Sequence, residues 1–370
     1  MKRVVLVLLL LASLLFLPFT VSAAETDASP TALEKITEET RDGLLSLLPD
    51  VAKQHLSDPT DGTAVKDALG FRSLFSLLAN AITNGETKLG GRMSALFALS
   101  VLFGAVSLFV KGSTAAVFMQ SAAALSFFSL LFETTSHILG FFSDLASFAT
   151  GISPILVTLL AAGGGTATAA AANGGFAAFL SVLTLFSTTV LPPLLRLLFA
   201  LALLSALGNH TLIRELSGRI SGIAVLLFSV LSMLLLASLA FQSALASSAD
   251  SVALRTVKYT ASSAIPLVGG TLSGALGALT ASLSLLKNTL GGTAVIVLLS
   301  LLLPPLVEVF LLRLTLSFSE SLATFTEASS LREVIARFRG ILDLALAALV
   351  IVSLLFLLTI GVFVGISPFG

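Results

Sequence analysis

The chain has 370 residues, of which 56% are hydrophobic and only 11% are charged, against roughly 25% charged in a typical soluble domain. Mean hydropathy is +1.05, more apolar surface than a soluble fold can bury, so composition indicates an integral membrane protein and excludes an ordinary soluble enzyme, a nucleic-acid binder and a disordered chain. Twenty basic and twenty acidic residues cancel and cysteine is absent, which removes any global attraction for polyanions together with disulfides, thiolate metal sites and cysteine nucleophiles.

In chain order, the N-terminus reads as an export signal. Lys2 and Arg3 precede an apolar run from Val4 to Phe16, Pro18 breaks it, and Val21-Ser22-Ala23 fits a small-residue cleavage site. Residues 24–92 then hold eleven of the twenty acids. Two amphipathic helices are expected there, over 31–48 and 64–83. In the second, Leu74, Leu78 and Ile82 recur at helical spacing beside Leu77 and Ala81. The segment reads as an exported helical cap ahead of a membrane domain at 93–370.

Met93–Val110 and Thr114–Phe132 are apolar runs split by Lys111. Glu133 and Asp144 bracket a short polar connection and should cap the ends of spans. Residues 145–195 carry no charge, far more than the roughly 20 residues that one crossing needs. Ser221–Phe241, Leu290–Val307 and Ile341–Val364 are further candidate spans.

The second half resembles the first. Leu191-Pro192-Pro193-Leu194 matches Leu303-Pro304-Pro305-Leu306, with Pro154 and Pro266 each 38 residues earlier. Downstream, Arg214-Glu215, Arg219, Gly222 and Ile223 match Arg332-Glu333, Arg337, Gly340 and Ile341. Repeat units of about 112–223 and 224–341 follow, then a final span at 341–364. The Arg-Glu blocks read as short amphipathic helices: Leu331, Val334, Ile335 and Phe338 form an apolar stripe, with Arg332, Glu333, Arg337 and Arg339 beside or opposite it. Placing both blocks in the cytoplasm satisfies the positive-inside rule. It requires residues 147–173 and 261–286 to dip into the membrane and return. The expected fold is therefore an all-α polytopic membrane protein with six full spans and two Pro/Gly-rich re-entrant segments, or eight spans if both segments cross.

Irregular backbone at membrane depth persists only where protein or water surrounds it. Pro154, Gly163, Gly164, Gly165, Pro266, Gly269 and Gly270 are therefore candidate pore or hinge positions, although small residues also serve close helix packing. Pro192, Pro193, Pro304 and Pro305 are candidate helix kinks. Arg196 and Glu308 occupy matching places after the two proline pairs and form a candidate intramembrane charge pair. Each could instead snorkel to the interface. Arg255 and Lys258, with Tyr259, would lie in an exported loop against the positive-inside trend, which marks a candidate contact with a partner or with lipid headgroups. His137 and His210 are isolated from any metal-spaced ligand set. No phosphate-binding loop, nucleophile elbow or zinc-protease motif is present, so no catalytic, cofactor or metal residue is assigned.

Between 252 and 292 the sequence becomes recognisable. Val252-Ala253-Leu254-Arg255-Thr256-Val257-Lys258-Tyr259 leads into Ala264-Ile265-Pro266-Leu267-Val268-Gly269-Gly270, followed by Ser284-Leu285-Leu286-Lys287-Asn288 and Gly291-Gly292. This run resembles the stage III sporulation protein AE family of endospore-forming bacteria, and the likeness extends over about 93–370. The resemblance implies a subunit of the channel complex joining mother cell and forespore, in the mother-cell membrane around the forespore. It also implies partners among the other stage III A operon proteins, including an ATPase, and in a forespore-membrane protein, with no nucleic acid involved. The rival reading from the residues alone is a stand-alone secondary transporter with duplicated halves and broken helices.

Overall fold

A computed structural model describes residues 30–56, 58–83, 86–109, 113–162, 185–207 and 269–365, with isolated positions between 174 and 182 and between 215 and 233. Within 269–288 and 358–365 it describes the backbone alone. The expected signal peptide, Gly163–Gly165, Arg255, Lys258, Tyr259 and Pro266 lie outside the described residues.

Every described element is helical. Four short helices form the cap: α1 (Pro30–Leu47), α2 (Asp50–His55), α3 (Gly62–Ala68) and α4 (Phe71–Thr83). The long ones are α5 (Glu86–Phe109), α6 (Ser113–Ala162), α7 (Leu191–Leu207), α8 (Gly269–Phe325) and α9 (Ser329–Gly365). A π-helical segment, Leu185–Val190, leads directly into α7. Among the described residues, four stretches are long and apolar enough to cross a membrane: Leu89–Phe109, Thr114–Leu159, Thr289–Phe325 and Ser329–Leu357. A shorter apolar helix covers Leu191–Leu204. Helix α8 is the hub, packing on α5, α6, α9 and the cap helices α2, α3 and α4.

Several sequence expectations change here. Glu133 and Asp144 do not flank a connection, because α6 runs unbroken for 50 residues with Pro154 inside it. Leu, Ala, Phe and Ser on both sides of Glu133 favour helix continuation, and a single carboxylate does not stop a helix whose neighbours can hold its charge. The described parts of both supposed re-entrant segments, 147–162 and 269–286, are likewise continuous helix. Gly291 and Gly292, at the end of the recognised run, lie within α8. The Arg-Glu block at 332–333 is no separate short helix but the first turns of α9. Its expected stripe is the buried face, with Leu331, Val334, Ile335 and Phe338 all at or below 1% exposure. The span expected at Ser221–Phe241 lies almost wholly outside the described residues.

The proline pairs behave differently. Pro304 and Pro305 sit inside α8, which continues past them. Pro192 and Pro193 fall in the first turn of α7, immediately after the π segment. A proline has no N–H to return to the carbonyl four residues back. Two missing donors in succession are accommodated where the winding widens to i→i+5.

The cap is packed onto the long helices. Leu44, Leu48, Ala52, Leu56, Val65 and Ala68 share one buried cluster with residues of α5 to α9. The expected boundary between 92 and 93 falls inside α5. Two glycines permit the closest approaches: a Cβ on Gly151 would meet Leu47 Cδ2 at 2.2 Å, and one on Gly292 would meet Val65 Cγ1 at 2.4 Å. The buried Thr293 hydroxyl donates to the Pro59 carbonyl at 2.9 Å, which pins the α2–α3 loop to α8. That loop is shaped by Asp58, whose carboxylate accepts from the Thr60 amide at 2.9 Å and hydroxyl at 2.7 Å and faces Arg41 at 3.4 Å. Burial raises the Asp58 pKa, but the hydrogen bonds from Thr60 and the Arg41 charge outweigh it and hold the group below the usual carboxylate value. A depressed carboxylate adds stability above its unfolded pKa of about 3.9 and loses it as pH falls through the folded value. Cap docking should therefore be unchanged from neutral pH to about pH 5 and loosen below about pH 4. The mobility of a spin label at Ser46→Cys reads this, and Asp58→Ala should show the loosened signal already at neutral pH.

The α8–α9 turn closes by a Schellman motif: Ala328 N–H donates to Ala323 O at 3.0 Å and Glu327 N–H to Thr324 O at 3.2 Å. Glu327 carries φ 55°, the left-handed conformation, where glycine is the unstrained residue. The strain is roughly 1 kcal/mol. Glu327→Gly should raise the stability of the detergent-solubilised protein by about that amount and Glu327→Val should lower it, measured by thermal unfolding.

Candidate functional site

The main polar feature among the described residues is a charge cluster where α5, α6 and α8 meet. Helical spacing places Glu133 and His137 on one face of α6, with Thr134 beside them, while Arg92 comes from the first turns of α5 and Glu308 from just beyond the α8 proline pair. Glu308 is 9% exposed. Its Oε1 accepts from Arg92 Nη1 at 2.8 Å and from the Thr134 hydroxyl at 2.8 Å. Its Oε2 meets His137 Nδ1 at 2.6 Å. Arg92 also donates to Thr134 Oγ1 at 3.3 Å and lies 3.7 Å from Glu133 Oε2. Both carboxylate oxygens of Glu308 are thus held, by residues 171 to 216 positions away in sequence.

The sequence reading singled out Glu308 and gave it the wrong partner. Arg196 is exposed on α7, which packs on α6 and α9, whereas α8 packs on α5, α6 and α9. The two proline-paired helices do not lie side by side, so their charges do not meet. Arg92 is the counter-ion instead. It passed unremarked because it stood at the supposed edge of the exported segment. The i,i+4 pair Glu133–His137 in an apolar run was the legible signal, since ionisable groups at membrane depth pair with one another.

A second set of charges lies at the α8–α9 hairpin. Glu320 pairs with Arg332 at 3.7 Å and with Arg339, Arg337 bonds Glu333 at 2.7 Å, and Arg313 pairs with Asp343. Four of these belong to the block that the sequence marked as amphipathic. Among the described residues no group of three or more His, Asp or Glu could hold a metal ion. Both sets can fix helix positions through charge; neither presents a nucleophile beside a free base.

Together these features define a membrane protein, helical throughout its described residues, whose long helices are tied by ion pairs, one of them, Arg92–Glu308, largely buried. The chain belongs to the stage III sporulation protein AE family: the family's sequence profile matches residues 88–367, a stretch that includes all of both charge sets. It is similar to the stage III sporulation protein AE of Bacillus subtilis (strain 168), at 25% identity over 354 residues, covering 92% of this chain and 87% of that one. No solved structure matches.

Removing one partner of a buried pair leaves an uncompensated charge and costs about 3–5 kcal/mol, whereas replacing both by apolar groups is near neutral. Glu308→Ala should therefore destabilise the protein strongly, and Arg92→Met combined with Glu308→Leu should recover most of the loss. Thermal unfolding in detergent checks this; additive damage in the double variant would count against a tight pair.

Proposed function

We propose that the protein is an integral membrane subunit of a multiprotein channel linking mother cell and forespore, required for late forespore development. It works alongside the other stage III A operon proteins, including an ATPase, and a forespore-membrane protein. It resides in the mother-cell membrane around the forespore, with residues 24–92 outside the cytoplasm after signal-peptide removal. Family membership supports the sporulation role. The observation that favours a fixed subunit over an alternating-access transporter is the closure of the Glu308 cluster by the chain's own side chains. A transport site at membrane depth keeps its donors and acceptors open for substrate, and here the buried carboxylate is already occupied on both oxygens.

The two readings separate by experiment. The protein purified from sporulating cells under mild solubilisation should bring stage III A proteins with it, and the protein reconstituted alone should move no solute. Counterflow or gradient-driven uptake by the protein alone, with no co-purifying partner, would establish the transporter instead.

A further inference from the structure

The α5–α6 hairpin carries its own measure of the bilayer. The apolar stretch of α5, Leu89–Phe109, has 21 residues. It is about 31 Å long, which matches a hydrocarbon layer of about 30 Å. Glu86 and Lys88 precede it and Lys111 follows it, so its two ends mark the two edges of that layer. Three residues join α5 to α6, and Arg92 near the start of α5 lies 3.7 Å from Glu133 of α6, so the two helices run antiparallel. Arg92 stands three residues, about 4.5 Å, inside the edge at Leu89, and Glu133 stands level with it. On α6 the 19 residues from Thr114 to Glu133 give about 29 Å, the same thickness. Beyond Glu133, α6 continues on this side to meet the cap at Gly151.

Below the two charges lies a groove of about 790 Å³ between α5 and α6. Ala95, Ala98, Ser126 and Ser129 line it, with Leu102 and Leu125 farthest from the charges. Ala95 follows Arg92 by one turn, and Ser126 and Ser129 precede Glu133 on one face of α6, so the groove runs up to both. It covers depths of about 9 to 20 Å below Leu89, where the chains of one leaflet lie, and reaches just past the middle of the layer. Ala98, Leu102, Leu125 and Ser129 are exposed, so it opens sideways. The Ser126 hydroxyl already donates to the Ala122 carbonyl at 2.9 Å and asks nothing of an apolar chain.

The upper end is polar and incomplete. The Glu133 side chain is 52% exposed. Among the described residues its carboxylate meets only Arg92, at 3.7 Å, beyond hydrogen-bond reach, because Arg92 gives its 2.8 Å bond to Glu308. Two carboxylates thus share one arginine, and the outer one lacks a donor. An anionic headgroup would meet repulsion there, and a trimethylammonium has no N–H to give. A primary ammonium brings a positive charge and three donors.

We propose that the α5–α6 groove binds a phospholipid with a primary-amine headgroup, one acyl chain lying between Ala95 and Leu102 and the ammonium on Glu133. The site involves this chain and lipid alone and stands apart from the sporulation-channel reading.

The chain has no Trp, so one introduced Trp reports on the lipid beside it. Leu102→Trp places it in the groove. Phe318→Trp is the comparison site: Phe318 is exposed on α8, ten residues past Glu308 as Leu102 is ten past Arg92. The two helices run the same way, since a Cβ on Gly104 would meet Thr326 Oγ1 at 3.2 Å. The full chain is reconstituted in phosphatidylglycerol vesicles with increasing phosphatidylethanolamine or phosphatidylcholine, both carrying the same brominated chains, and Trp quenching is read. At Leu102→Trp, brominated phosphatidylethanolamine should act at about one third the mole fraction of brominated phosphatidylcholine. At Phe318→Trp the two should quench alike. Adding Glu133→Gln should abolish the preference at Leu102→Trp and leave quenching at Phe318→Trp unchanged, which shows that the bundle is intact. Equal quenching by both lipids at Leu102→Trp means a groove that does not read the headgroup, and overturns the site. A preference that survives Glu133→Gln overturns the role of Glu133. Quenching at Phe318→Trp but by neither lipid at Leu102→Trp means that a helix of a second copy fills the groove, and overturns lipid as its occupant.

Discussion

A carboxylate buried among apolar helices cannot stand alone. Stripped of water, an ion loses several kcal/mol even after relaxation, and Glu308 sits at a point where the chain is otherwise Leu, Val and Phe. The bundle answers by bringing three helices to it. Arg92 supplies the charge, the Thr134 hydroxyl passes a hydrogen bond between the two, and His137 takes the second oxygen. Apolar contact between membrane helices is nearly as good with lipid as with protein and so specifies their positions weakly. The polar joint has few satisfactory geometries. It fixes which faces of α5, α6 and α8 meet and at what depth, and the hairpin closure and the cap contacts follow from that register.

What could be seen beforehand depended on range. Composition gave the class, and local periodicity gave the elements: the stripe of Leu331, Val334, Ile335 and Phe338 is buried as its spacing implied. The first cap helix begins and ends close to the expected places, α2 is an added short helix around Lys53, and the single helix expected over 64–83 is two, α3 and α4, parted at Leu69-Gly70. The breaks were misjudged. Glycine, proline and isolated charges read as punctuation in a soluble protein, yet in an apolar setting an unpaired backbone group is so costly that the helix persists through Pro154, Gly291 and Pro304. The charge partner was misjudged for a different reason. Pairing by repeat symmetry assumed that equivalent helices adjoin, and only the three-dimensional packing sets α6 and α9 between them and brings Arg92 of α5 to Glu308.

The cap shows how two kinds of packing coexist in one core. Around Gly151 and Gly292 the fit depends on missing atoms, because a methyl group would collide with Leu47 or Val65. At Thr293 and Asp58 it depends on hydrogen bonds that shape one loop and attach it. The membrane helices and the acidic segment before them are therefore one packed body, although their compositions differ sharply. The family profile begins at residue 88, so the cap lies outside the stretch it matches, although it packs as part of the same body.

The length of α8 has a mechanical consequence. From Thr293, where the cap is attached, to Glu308 is 15 residues, and from Glu308 to Phe325, at the turn, is 17. Each arm is about 24 Å long, and the polar joint stands almost midway. The stretch between the cap attachment and the turn is thus held near its middle, as a balanced lever is. Any force that tilts the cap end swings the turn by a nearly equal distance in the opposite direction, with the Glu308 joint as fulcrum. The proline pair lies three to four residues on the cap side of that fulcrum, where a lever that must also yield under load would place its weak point.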